Sequence, residues 1–443
     1  MQTIENFLRD VERRNPHAPH LLQAVEEVAR GVWPLLHANP QWLDAGIMER
    51  LVEPDRSISF RVRWRDDAGQ VHVDRGYRVQ QNRLLGPYKG GLRFADHVDE
   101  GVMRFLAFEQ TFKGALTGLP LGGAKGGATF DPRGRSAEEV RRFCYAFMTE
   151  LRHHIGPDKD VPAGDIGVGE REVGFLYGAY RELGGLAAGA MTGKAVAWGG
   201  IPLRTEATGY GLIYMVCTAL AHHDRALEGL RCAVSGAGNV ARHAAAKALE
   251  MGARVVSLSN SQGVAHWPDG LRAEQLEQVA DAQSNGARLS DVASKVGASF
   301  EASAKPWDLP DIDVALPCAT QNELGANDAK ALLASGRLQL VAEGANMPCT
   351  SDATQAFVDA GVLLLPGKAA NAGGVATSGL EMSQNAQRKP WTRDTVDEEL
   401  KACMRRIHDR CVEFGGESST VDYAAGANRA AFHRLATTME ALG

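Results

Sequence analysis

The chain has no cysteine pair at the two-residue spacing of a zinc knuckle. Its seven cysteines (Cys144, Cys217, Cys232, Cys318, Cys349, Cys403 and Cys411) are odd in number and widely scattered. That pattern excludes a disulfide framework and a zinc site, so no metal is expected, and it points to free thiols in a reducing compartment, the cytoplasm. No charge of one sign prevails. With 48 basic and 54 acidic residues the formal net charge is -6, which gives no footing to a nucleic-acid or anionic-membrane partner. No apolar run approaches the roughly 20 residues of a membrane span. The opening MQTIENFLRDVERR mixes acids and bases throughout and does not read as a signal peptide.

What is present fits a globular enzyme. Hydrophobic residues make up 44% of the 443 and charged residues 23%, and a chain of this length exceeds one packed core, so two domains are expected. Glycine stands out at 49 residues, gathered in stretches that look like ligand-contacting loops rather than in a repeat. Leu21, Val25, Val28, Val32 and Leu36 recur at helical spacing, a stripe that reads as core or subunit interface. Ile58, Phe60, Val62 and Trp64 then alternate with polar residues. The turn Asp66-Asp67-Ala68-Gly69 leads to a second alternating run, so a β-hairpin is expected. Residues 86–200 read as glycine-rich loops and short helices. From about 230, short apolar segments at Cys232, Val255, Val314, Leu340 and Val362 are separated by helix-length stretches, as in a parallel sheet of βαβ units. The expected fold class is therefore α/β. Residues 1–198 are expected as one α/β domain and 199–373 as a Rossmann-type domain; the family that the motifs below resemble implies that the first binds substrate and mediates oligomerisation, that the second binds the dinucleotide, and that the active-site cleft lies between them. A helical tail, 374–443, folds back toward the first.

The run Cys232-Ala-Val-Ser-Gly236-Ala-Gly238-Asn239-Val240-Ala241 follows a strand and opens a helix. Gly236 suits the tight turn, Gly238 the approach of a pyrophosphate, and Ala241 replaces the third glycine of the dinucleotide fingerprint. The helix start, with the N–H groups around Asn239 and Val240, offers donors and a positive dipole end. At the end of the next strand, residues 257–262 contain no acid, and Ser261 and Gln262 leave room for a 2′-phosphate. NADP is favoured over NAD, with Arg242 and Arg288 as candidate phosphate partners, and NAD or dual use is the alternative.

Three lysines lie among glycines: Pro87-Tyr-Lys89-Gly-Gly91, Gln110-Thr-Phe-Lys113-Gly114 and Gly122-Gly-Ala-Lys125-Gly-Gly127. A solvated surface position is the ordinary fate of a lysine, but flanking glycines let backbone and ligand close on the ammonium. Gln110 and Lys113, three apart on a helix, share a face and can converge on one carboxylate. Two cationic lysines suit a dicarboxylate. A third, crowded by the others, is expected to be driven down by like charge and burial. In Pro162-Ala-Gly164-Asp165-Ile-Gly167, a carboxylate sits among glycines as a turn residue or, beside a deprotonatable lysine, as a proton shuttle.

The segments GPYKGGLRF (86–94), LAFEQTFKGALTGLPLGGAKGG (106–127), PAGDIGVGERE (162–172), EATGYG (206–211), SGAGNVA (235–241), EGANMP (343–348) and NAGGVATSGLEMSQN (371–385) resemble the hexameric glutamate dehydrogenases of the Glu/Leu/Phe/Val dehydrogenase superfamily. The likeness runs through nearly the whole chain, toward the small NADP-linked microbial type. It implies reversible oxidative deamination of L-glutamate to 2-oxoglutarate and ammonium by a homohexamer. It also implies that Lys89 and Ser378 hold the side-chain carboxylate, and that Gln110, Lys113 and the Gly164 backbone hold the amino-acid end. Lys125 is implied as general acid–base and Asp165 as proton relay. Thr208 and Asn239 would contact the dinucleotide, with the Ala319-Thr320 backbone and Asn346 along its nicotinamide side. Asn260 stands where many relatives carry an acid, and Gly114 where many carry asparagine.

Two rivals differ in kind. A leucine, valine or phenylalanine dehydrogenase needs an apolar pocket, against which Lys89 and Ser378 argue. A non-catalytic nucleotide-sensing subunit has no need of both Lys125 and Asp165. The histidine pairs 153–154 and 222–223 do not face one ligand, and the segment around Lys125 lacks the Ser/Thr and spacing of a P-loop.

Overall fold

The computed structural model describes residues 3–416 and 421–443. It divides into two units, Met1–Arg204 with Val375–Val396 and Asn428–Gly443, and Thr205–Gly374 with Asp397–Ala427.

The first unit opens with α1 (Ile4–Arg14), α2 (Pro19–Ala38) and the short α3 (Pro40–Asp44) and α4 (Ile47–Val52). Proline at the first position of α2 pre-sets its backbone, and the 21–36 stripe is fully buried. Next come β1 (Arg56–Arg65), β2 (Val71–Asn82), β3 (Tyr88–Phe94), α5 (Glu100–Thr117), β4 (Gly123–Ala128), α6 (Ala137–Leu151), β5 (Asp160–Gly164) and α7 (Glu170–Glu182). The expected hairpin is there, with Trp64 opposite His72 and Phe60 opposite Gly76. The strands lie in the order β1-β2-β4-β3-β5, with β3 parallel to both β4 and β5. Residues 86–182 are thus not the loops and short helices expected, whereas 183–200 are, with only three-residue helical turns at Ala188–Ala190 and Val196–Trp198. The glycines sit inside buried strands, and helices of 13 to 18 residues cover them. Period-2 alternation cannot register in a strand such as GAKGGA, whose six residues are all buried. Phe94, Phe130, Phe143 and Phe147 form an aromatic core beside this sheet, with Phe130 and Phe143 stacked 3.8 Å apart.

The second unit runs α8 (Ala207–His222), β6 (Arg231–Val234), α9 (Asn239–Glu250), β7 (Arg254–Asn260), β8 (Gly263–His266), α10 (Ala273–Ser284), α11 (Leu289–Ala293), β9 (Ser299–Ala302), β10 (Val314–Leu316), α12 (Ala326–Ala334), β11 (Leu340–Ala342), α13 (Ser351–Asp359), β12 (Leu363–Leu365) and α14 (Gly367–Ala370). Its seven strands lie in the order β12-β11-β10-β6-β7-β8-β9. The first five are parallel, as the βαβ rhythm predicts. β8 is antiparallel to β7, because only Ser261 and Gln262 join them, too few for a crossover, and β9 pairs antiparallel with β8 in turn. The tail forms α15 (Gly373–Gln387), α16 (Arg393–Phe414) and α17 (Tyr423–Leu442). It was expected as one segment returning to the first unit, but residues 397–427 group with the second. Among the described residues no helix is long and apolar enough to cross a membrane.

Candidate active site

In the first unit the functional face of β3 follows from strand alternation. Leu92 and Phe94 point into the aromatic core, so Lys89, Gly91 and Arg93 share the opposite face. Asp165 follows the last residue of β5, which runs beside β3 with Gly91 opposite Ala163. A β-carbon at residue 91 would lie 2.9 Å from Cβ of Asp165 and 2.8 Å from the Gly164 carbonyl oxygen. Glycine at 91 is therefore what lets the aspartate settle against β3.

Lys125, on β4 opposite Val79, places Nζ 3.0 Å from Oδ2 of Asp165, the lysine side chain 8% exposed and the aspartate 21%. Arg93 Nε donates to the same oxygen at 2.8 Å. Burial drives the Lys125 ammonium below its ordinary value. Asp165 pulls the other way, and Arg93 and Arg78 add like charge. Like charge was expected from the neighbouring lysines; arginines supply it instead. For Asp165, burial favours the neutral acid, but Lys125 and Arg93 outweigh it and hold the carboxyl at about 2.

Lys89 is 2% exposed. Burial pushes its ammonium well below the usual lysine range, helped by Arg204 and Arg78 and opposed by Glu381 and Asp160. Both carboxylates are already engaged. Arg78 grips Asp160 through two nitrogens, with Gln80 donating to it at 2.7 Å. Lys194 pairs with Glu381 at 2.6 Å, both side chains fully buried, and the Gly193 amide donates to the other oxygen at 2.9 Å. Among the described residues Lys89 and Arg204 form no ion pair with a carboxylate. Ser378, on α15, accepts from Arg204 Nε at 3.1 Å. On α5, Lys113 is half-buried one turn beyond Gln110, whose buried Nε2 has no hydrogen-bond partner. Gly164 closes β5 beside Asp165, half-buried.

Four residues here escaped the sequence reading. Arg93 lies two residues beyond Gly91 on β3, a strand whose glycines leave no alternation in the sequence to place it. Arg204, Lys194 and Glu381 carry no local signal, and Lys194 meets Glu381 across 187 positions.

The second unit places the fingerprint as expected between β6 and α9. Gly236 has φ +83°, which a side chain resists, and a β-carbon there would meet the Ala319 backbone at 3.2 Å. Gly238 caps α9 without a side-chain cap, and no atom lies within 4 Å of where its β-carbon would stand. Gly238 and Asn239 are exposed at the start of α9, where no side chain caps the first N–H groups. That cradle fits a pyrophosphate. Ser259 Oγ accepts from the Gly236 amide at 3.0 Å. Asn239 Nδ2 donates to the Thr205 carbonyl at 2.7 Å, tying the loop to the start of α8, where Thr208 lies in the first turn.

Ser261 and Gln262 form the exposed two-residue tip between β7 and β8. Arg288 is exposed just before α11, and Arg242 on α9 has its Nε buried and unbonded. The Ala319 and Thr320 amides both donate to Glu323, at 3.0 and 3.3 Å, so only the carbonyls and the threonine hydroxyl remain for a ligand. Glu323 too was missed. Asn346 is exposed, its Oδ1 accepting from Asn371 at 3.1 Å. Among the described residues no group of three or more His, Cys, Asp or Glu is placed to hold a metal.

Comparison with known proteins agrees with both units. Residues 199–443 match the Glutamate/Leucine/Phenylalanine/Valine dehydrogenase family, and 54–182 the Glu/Leu/Phe/Val dehydrogenase dimerisation domain. The chain is 51% identical over 442 residues to the NADP-specific glutamate dehydrogenase of Salmonella typhimurium, covering 100% of this chain and 98% of that protein. The crystal structure of Plasmodium falciparum glutamate dehydrogenase superposes with a TM-score of 0.96 at 46% identity, over 99% of this chain and 94% of that one. The hetero-hexameric glutamate dehydrogenase of Thermus thermophilus, in its leucine-bound form, superposes at 0.81 and 28% identity, over 93% and 97%.

Proposed function

The chain belongs to the Glu/Leu/Phe/Val dehydrogenase family, and we infer from that membership and from its charged site that it is an NADP-linked glutamate dehydrogenase. It converts L-glutamate reversibly to 2-oxoglutarate and ammonium. The observation that carries this reading is the pair of cations withdrawn from water, the buried Lys89 and the half-buried Arg204, that lack an anion while Asp160 and Glu381 are taken by others. Buried charge without a partner is costly, and a substrate side-chain carboxylate removes that cost. An apolar amino acid leaves it standing, which argues against a leucine, valine or phenylalanine substrate.

NADP, when bound, supplies the hydride acceptor. The chain's own residues do the rest. Lys89 and Ser378, the latter oriented by Arg204, hold the side-chain carboxylate. Gln110, Lys113 and the Gly164 backbone hold the amino-acid end, a position for which the unbonded Gln110 amide is suited. Lys125, its ammonium destabilised by burial, takes the proton of the water that adds to the imino carbon and returns it in the reverse direction. Asp165, kept ionised, relays protons at the nitrogen. Gly236, Gly238, Asn239, Val240, Thr208, Thr320, Ala319 and Asn346 line the dinucleotide end, and Ser261 meets the ribose phosphate. NADP-specific naming of relatives supports this cofactor, as does the absence of an acid at 257–262.

We read the assembly as a homohexamer; the dimerisation-domain match and the hetero-hexameric structural neighbour support an oligomer. The cytoplasmic reading is supported by seven free cysteines. Initial rates of 2-oxoglutarate amination with ammonium and matched NADPH or NADH test the function. Turnover with NADPH well above NADH is expected. Comparable rates with NADH overturn the cofactor preference, and silence with both overturns the reaction.

A further inference from the structure

The Lys125–Asp165 pair has a third member. Arg93 and Lys125 both reach Oδ2 of Asp165, and Oδ1 takes part in neither contact. We propose that Arg93 is a positioning residue of the proton machinery, holding Asp165 in a fixed orientation and compensating its charge so that Lys125 is free to give up its proton. This rests on the roles given above to Lys125 and Asp165.

If Lys125 were the sole partner of Asp165, the pair would be neutral only with the lysine protonated. Losing that proton would strand a largely buried carboxylate, and the pair would resist deprotonation. An arginine stays charged throughout. With Arg93 on the same oxygen, the cluster of neutral Lys125, anionic Asp165 and cationic Arg93 has no net charge, and it is the protonated cluster that carries the surplus. The charged groups bearing on Lys125 are Asp165 beyond β5, Arg93 on β3 and Arg78 on β2. Arg78 is already matched by Asp160, which leaves Arg93 as the group that tips the balance. Geometry supports a fixed role. Arg93 is 12% exposed on its side chain, and its Nε–Oδ2 bond of 2.8 Å turns the carboxylate so that one oxygen serves both cations.

The test is the pH dependence of glutamate deamination in the wild type, Arg93→Met and Arg93→Lys. For Arg93→Met the acid limb of kcat is expected to move up by about one pH unit, lowering kcat at neutral pH about tenfold, while KM for glutamate changes less than about threefold. Arg93→Lys, which keeps a cation and disturbs folding least, is expected to hold the limb within about half a unit while kcat falls from the lost Nε–Oδ2 bond. A second readout does not need turnover: the pH midpoint of reductive methylation at Lys125, read by peptide mass spectrometry, rises by a similar amount in Arg93→Met. A uniform drop in kcat at every pH, or no change in limb and midpoint, overturns the proposal. A shifted methylation midpoint in a protein that does not turn over glutamate overturns the proposed function and leaves the Arg93 assignment standing.

Discussion

In the function proposed above, the two regions hold a charged ligand with opposite materials. In the first unit, Lys89, Lys125, Asp165, Arg93 and Arg204 are side-chain charges withdrawn from water, each with its ionisation displaced or matched by a neighbour. In the second, the groups that would meet a pyrophosphate are backbone amides and missing side chains at Gly236 and Gly238, tied by Ser259 and Asn239. Side-chain charge is specific but expensive to bury, so every member depends on the others. Backbone donors cost no desolvated ion and tolerate change around them, provided the turn keeps its shape. Substitutions in the first region should therefore act on which substrate is chosen and at what pH. Those in the second should act on how tightly the nucleotide binds.

The largest expected effect is on choice of substrate. Lys89→Leu removes the most buried of the two unmatched cations, and kcat/KM for glutamate should fall about a hundredfold or more, on the scale of a lost charge-assisted contact. The rate with norvaline, of the same length but without the second carboxylate, should hold or rise. An unchanged glutamate-to-norvaline ratio breaks the assignment of charge to the first region.

Less severe is Gly236→Ala. The left-handed backbone and the 3.2 Å approach to Ala319 cost about 1–3 kcal/mol of strain, so the NADPH Kd from fluorescence titration should rise about tenfold. The acid limb of the glutamate reaction should not move. If the limb moved and the Kd did not, the division between the regions would be wrong.

The smallest effect sharpens the comparison through stability. Asp165 has its pKa depressed from 3.8 to about 2 in the fold. Its contribution is therefore fully present above about pH 4 and is lost as pH falls through about 2. The gap in urea stability between the wild type and Asp165→Asn should be under about 2 kcal/mol at pH 5 and smaller at pH 3. A gap that widens on acidification contradicts the charge arrangement around this residue.

How far the sequence could be read differs between the regions in the same way. The hairpin of β1 and β2 and the glycine loop are local patterns: alternation around a turn, and a fingerprint between a strand and a helix. Both lie where the pattern puts them. The lysines were visible because glycines flank them, yet the strands that carry two of them were hidden by those glycines, which leave no alternation to detect. The arginines that partner the site were invisible. Arg93 lies 72 positions from Asp165, and Arg204 lies 174 from Ser378, and no spacing rule links residues joined only by the fold. Glu323 sits four residues from Ala319 and was still missed, because an acid in a loop carries no sign of which amides it accepts.

The turn at Ser261 and Gln262 has an evolutionary consequence. Its side chains are exposed, and the β7–β8 ladder on either side is made by backbone pairs from Ser257–His266 to Asn260–Gly263. Residues at this tip can be exchanged without disturbing a strand or a core, so selection for a different reducing currency meets little structural resistance here. No comparable freedom exists around Lys89. Across descendants of such a protein, preference between the two nicotinamide dinucleotides should drift readily, and the identity of the amino acid should persist.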